Sequence, residues 1–234
     1  MTKYIAIAAL LAAGSAFANA TEWTSIQSGS SALNQARAPG FWFSLDSGRL
    51  STSSDPASTP LDATVALDSI ELAWTTSTSG VNVTCGFVLT DEALQIVAVS
   101  GTTATSTQNG SVTIDFGGAA ISSSDTYSVW FVSTDALADL SAGSTLDLSA
   151  DVLSGSQTAP GIKFANYVNT DLDSDGSLGV WHEIENGAAD KWNTQYAPVV
   201  TIKTSTSAVP EPSAFGLLAG LGALALVASR RRRK

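Results

Sequence analysis

Between residues 21 and 208 the chain consists of short β-favouring runs, separated every eight to twelve residues by Ser, Thr, Gly and Asp, with no sustained helical period. A chain patterned this way has little with which to bury long helices. It pairs strands, and it needs two sheets to cover their apolar faces. The runs fall at residues 41–43, 64–74, 81–89, 94–99, 112–116, 127–132, 146–153, 162–168 and 199–203. Within 64–74, Val65 and Leu67 share one parity, whereas Ile70, Leu72 and Trp74 share the other. That phase change near Ser69 predicts a β-bulge. The nearly unbroken apolar run 94–99 reads as a strand buried on both faces. One helical turn is expected over 134–140. The fold class is therefore all-β: an antiparallel β-sandwich, jelly-roll-like in its strand number.

The two ends of the chain read differently from this body. Lys3 precedes an apolar run over residues 5–17, and Ala18 and Ala20 stand at the −3 and −1 positions of a cleavage site. This is the three-part pattern of a secretory signal peptide over residues 1–20, cut by signal peptidase between Ala20 and Thr21. An uncut membrane helix is the other reading, but thirteen residues make only about 20 Å of helix against a hydrocarbon core of about 30 Å. At the far end, Pro210, Glu211 and Pro212 precede an apolar stretch over 213–229, and five cations, residues 230–234, close the chain. The prolines stop a helix from extending upstream. Seventeen helical residues span about 26 Å, enough for a short transmembrane helix. The cationic tip would stay on the cytoplasmic side of the inner membrane, leaving the body outside.

The order Pro210-Glu211-Pro212, apolar helix, basic tail closely resembles the PEP-CTERM sorting signal of Gram-negative bacteria that make extracellular polysaccharide. The resemblance covers residues 209–234. It implies an exosortase as partner, and a protein exported, held in the membrane, then delivered to the cell surface or extracellular matrix. An ordinary, unprocessed single-pass anchor is the alternative. The resemblance leaves the extracellular domain, residues 21–208, to be read by its own residues.

That domain has five basic residues, Arg37, Arg49, Lys163, Lys191 and Lys203, against twenty acidic ones, a formal charge of −15. Such a surface repels phosphate backbones, so nucleic acid is excluded as a partner. Cys85 is the only cysteine and has no intramolecular disulfide partner. It lies in an alternating run where its parity is apolar, so it reads as a small core residue. The chain contains one histidine, His182, and no nucleophile elbow, zinc-ligand spacing or phosphate loop. Adjacent or near carboxylates occur, Asp91 with Glu92 and Glu183 with Glu185, as they do in any acidic chain. The expectation is a non-enzymatic protein. The alternative is a secreted, polysaccharide-acting β-sandwich enzyme that relies on carboxylates alone.

Two segments carry site chemistry. Asp171, Asp173 and Asp175 alternate ahead of Gly176, a spacing that lets a loop converge several oxygens on one hard cation. The segment resembles the first half of an EF-hand loop. As a Ca2+ site it would use those three carboxylates, the Ser177 carbonyl and Glu183 as closure, although His182 stands where a carboxylate is usual. A solvated acidic loop between two strands is the competing reading. Trp181 and Trp192, beside carboxylates, could stack on sugar rings, and Trp23 and Trp42 could do so if they lie outside the core. The runs 86–91, 96–100 and 126–132 resemble strands of β-sandwich modules in bacterial surface proteins, carbohydrate-binding ones included. The expected role is structural or adhesive, with extracellular polysaccharide as a candidate partner.

Overall fold

The computed structural model describes residues 20–25, 34–45, 50–52, 63–75, 83–106, 110–153, 163–168, 178–191 and 196–205. The signal segment up to residue 19, the acidic loop 171–177, Trp192 and the whole tail 206–234 lie outside the described residues.

The longest strands carry the clearest alternation. β5 (Thr64–Thr75) buries Val65, Leu67, Ile70, Leu72 and Trp74. Its register against β8 (Gly110–Ser122) shifts between Leu67 and Ser69. The bulge expected near Ser69 is therefore present. On the partner strand, Gly117 and Gly118 take φ of +64° and +74°, which absorbs the extra length. β14 (Val200–Ser205) pairs with β5 on its other edge, and β1 (Ala20–Ser25) pairs with β14. Trp23 points into the core from β1 and donates its indole N–H to Thr204 Oγ1 at 3.2 Å. The order β1–β14–β5–β8 forms the centre of an eight-stranded sheet. β4 (Leu50–Thr52), β2 (Asn34–Arg37), β10 (Lys163–Val168) and β13 (Tyr196–Pro198) complete it.

The second sheet has six strands in the order β12–β11–β3–β9–β6–β7. These are β3 (Gly40–Phe43), β6 (Thr84–Thr90), β7 (Ile96–Thr105), β9 (Tyr127–Ser133), β11 (Leu178–Glu185) and β12 (Ala188–Lys191). Every strand pairing in both sheets is antiparallel. The sheets face each other across an aromatic core. Phe131 meets Trp74, Phe87 and Phe164 edge-on at 5.6–5.7 Å between ring centres. Such contacts add about 0.5–1.5 kcal/mol each beyond burial. The β-sandwich expected from the run pattern is the observed fold. Among the described residues no helix is long and apolar enough to cross a membrane, and the expected spanning segment 213–229 lies outside them.

A second apolar cluster covers the outward face of the six-stranded sheet. Val88, Ile96, Trp130 and Val132 project from it, and Leu146, Leu148 and Val152 close over them. The last three come from 146–153, expected as a strand. The structure makes it a series of turns with one isolated bridge, Val132 to Val152. Asp147 is the cause: its Oδ1 accepts from the N–H groups of Ser149 and Ala150 at 2.8 and 3.2 Å, a local bond that outcompetes a ladder. The helical turn is confirmed as α1 (Thr134–Leu137), capped by Ser133 Oγ, which accepts from the Ala136 N–H at 3.1 Å. The structure also adds a hairpin that the run pattern did not contain. β11 and β12 are joined by Asn186 and Gly187 at φ of +52° and +78°, the left-handed pair that a two-residue hairpin turn requires.

Candidate functional site

On the outward face of the six-stranded sheet, large and absent side chains alternate across neighbouring strands. In one row the register runs Gly179 (β11), Trp42 (β3), Ser128 (β9), Thr90 (β6). In the next row Gly40 faces Trp130, which faces Val88, and continuing the β11 register sets Trp181 opposite Gly40. Trp130 and Trp181, from the strands flanking Gly40, stack at 5.2 Å between ring centres and 16° apart, while a Cβ on Gly40 itself would meet the backbone of Val129 and Trp130. A Cβ on Gly179 would fall 2.6 Å from Trp42 Cε2, so the bare backbone there is what allows the Trp42 ring to lie across β11.

This pattern leaves a cavity of about 440 Å³ whose walls include all three indoles. The volume lies within the usual range for small-molecule pockets, about 300–1,000 Å³. Trp130 forms its floor: it is 1% exposed, and its Nε1 donates to the buried Thr90 Oγ1 at 3.0 Å. Trp42 is 5% exposed, and Trp181 is half-buried at the mouth. The β6–β7 turn supplies the polar rim through Asp91 and Glu92. That turn is held firmly. Asp91 Oδ1 accepts from the N–H groups of Ala93 and Gln95, both at 2.9 Å, and Leu94 sits at φ +60°. Holding a leucine in that region costs about 1–2 kcal/mol. Its side chain then packs against the outward cluster and lines the cavity. The arrangement can hold a flat, amphipathic ligand, with C–H faces on indole and hydroxyls or charge at the carboxylates.

The named candidates fall as follows. Trp181 lies mid-β11 and lines the cavity; Trp192 lies outside the described residues. Trp23 is a core residue, 7% exposed, and not a platform. Of the Ca2+ candidates, Asp171, Asp173, Asp175 and Ser177 lie outside the described residues. Glu183 sits on β11 across from Asp190, with its Oε1 3.5 Å from His182 Nδ1. The extended run carries it about 17 Å along the strand from Leu178. Among the described residues no group of three or more His, Cys, Asp or Glu is arranged to hold a metal. Cys85 is fully buried in the core, and burial pushes its thiol pKa up from 9.0 to about 12.

Sequence reasoning overlooked Trp130 and the two glycines, and named the Asp91–Glu92 pair without a site for it. A signal was present: alternation puts Trp42 opposite Phe41 and Phe43, and Trp130 opposite Val129 and Phe131. What alternation does not reveal is that the outward face is itself half covered.

The fold and the cavity define an all-β module with an aromatic pocket on one outer face. The chain carries the PEP-CTERM protein-sorting motif, matched over residues 208–233. The motif marks an exported protein of Gram-negative bacteria, processed by an exosortase and sorted to the cell surface or extracellular space. No curated protein matches the chain. A solved structure, the cysteine protease and lectin-like domains of Cwp84, a surface layer associated protein of Clostridium difficile, aligns with 81% of this chain at 12% identity. The TM-score is 0.34, too loose a superposition to argue from, and the aligned part is 32% of that chain.

Proposed function

We propose that this is a non-enzymatic surface or matrix protein whose sandwich binds saccharide in the Trp42–Trp130–Trp181 cavity. The observation that carries the reading is the checkerboard of indoles and glycines on the outer face of the six-stranded sheet. A core needs no such cavity, and a pyranose ring fits one. The strand order supports it as well. The sets β1–β14–β5–β8 and β3–β9–β6–β7 follow the connectivity of a jelly roll, an architecture used by many lectin domains. The adhesive rather than catalytic reading is favoured by the state of the rim. Asp91 spends one oxygen capping its own turn, and its partner Glu92 is its neighbour in sequence. A glycosidase pair instead flanks its substrate from two sides. In the same reading, residues 213–229 anchor the chain in the inner membrane after signal peptidase removes residues 1–20, and the Asp171 loop takes Ca2+.

A glycan array probed with the full chain in polyoxyethylene detergent tests the proposal. Retention on at least one polysaccharide class, lost in Trp181→Ala, is the expected result. Glycosidic turnover abolished by Glu92→Gln would instead favour the enzyme. No retention on any glycan would remove the ligand and leave only a scaffold.

A further inference from the structure

Resting on the saccharide reading of this cavity, we infer that the ligand class is an amino-bearing saccharide, a hexosamine oligomer with free ammonium groups, rather than a uronate or a fully N-acetylated polymer. Charge decides against the uronate. Among the described residues the cavity is lined by two carboxylates, Asp91 and Glu92, and by no Lys, Arg or His. The surrounding domain is itself strongly acidic, with its twenty carboxylates against five cations. A polyanion would meet repulsion at the rim and on approach.

An ammonium group meets the opposite situation. Indole faces attract cations through their quadrupole, and Trp is the strongest of the aromatic partners. Trp181, the partly exposed indole, and the carboxylates at the mouth form a cation-accepting edge, backed by the buried Trp42 and Trp130. A neutral N-acetyl group can hydrogen-bond the carboxylates or the Thr126 and Ser128 hydroxyls but brings no charge for the rim to hold. The rim is also pre-organised. Two backbone N–H groups fix Asp91 through Oδ1, which leaves Oδ2 for a ligand without further ordering of the turn. Of the remaining lining, Leu94, Leu148 and Ala189 supply the apolar surface that a sugar's C–H face needs and a small hydrophilic ion does not, while Thr126 and Ser128 add hydroxyls.

The test is calorimetric titration of the full chain with four probes: glucosamine tetramer, N-acetylglucosamine tetramer, galacturonate tetramer and choline. The expected result is binding of the glucosamine tetramer at least tenfold tighter than its N-acetylated counterpart, with no binding of galacturonate. Glu92→Gln should cut that preference at least threefold, weakening the glucosamine tetramer more than its N-acetylated counterpart. Equal affinity for both hexosamine tetramers, or a preference for galacturonate, overturns the inference and leaves the saccharide reading standing. Binding of choline without any tetramer overturns both. Silence from all four probes, together with an empty glycan array, removes the cavity as a ligand site.

Discussion

Gly179→Ala tests whether the cavity is built as described. The added Cβ would stand 2.6 Å from Trp42 Cε2 and 2.9 Å from Nε1. Ordinary carbon contacts are about 3.5–4.0 Å, so the ring must move about 1 Å. Overpacking of this kind costs about 1–3 kcal/mol. Gly179 has no positive φ, so alanine fits its backbone, and loss of unfolded-state freedom returns about 0.4–1 kcal/mol. The net is a destabilisation of about 1–2 kcal/mol, or a fall in Tm of about 2–8 °C for a domain of this size. Thermal unfolding followed by circular dichroism reads it, and ligand affinity should fall too, because the displaced ring enters the cavity. Trp42→Phe removes Nε1 and the outer ring, so the double variant should recover most of the loss. Additivity of the two substitutions within about 0.5 kcal/mol, or a Gly179→Ala protein as stable as the parent, would refute the packing argument.

Other expectations follow from the same geometry. Cys85, buried and with its thiol pKa raised to about 12, should resist alkylation at pH 8 in the native protein and react at once in denaturant; equal rates would place it at the surface. Burial also raises the Tyr127 pKa, helped by the nearby Asp125 and Asp91 charges and opposed by the N–H bond it accepts from Ser122. For both groups the folded state holds the proton more tightly. Their contribution to stability is complete below about pH 9 and is lost as pH rises toward 12. Urea midpoints that stay flat across that window would contradict the burial of both groups. Titration with Ca2+ should show saturable binding that Asp173→Ala/Asp175→Ala abolishes; no heat would reduce the loop to a solvated turn.

The alternating strands were legible because one face of each meets the core. The bulge at Ser69 shows how far that reaches, since a parity change in five residues fixed its position. The outward cluster was not legible in the same way. Residues 134–153 fold back over the six-stranded sheet, so β6 and β9 are buried on both faces, and their outward positions mix Val88, Trp130 and Val132 with buried Thr90 and Ser128. Leu146 and Leu148 do alternate, but Asp147 diverts the backbone into turns while keeping both side chains inward. Asn186–Gly187 is a plain hairpin signal, as is Asn109–Gly110. The acidic run upstream reads as a metal loop closed by Glu183, and a loop that long leaves no strand over 178–185. The rim at Asp91 depends on a leucine at positive φ, a conformation that no local pattern announces.

The most direct test of the saccharide claim compares the parent chain with Trp181→Ala, titrated calorimetrically with the best-binding oligosaccharide. Trp181 is partly buried at the cavity mouth and stacked on Trp130, so its removal should cost stability about 3–5 kcal/mol, and circular dichroism checks that the variant stays folded. The account predicts affinity at least tenfold weaker with the fold intact. Unchanged affinity in a folded Trp181→Ala protein would place the ligand elsewhere and contradict it.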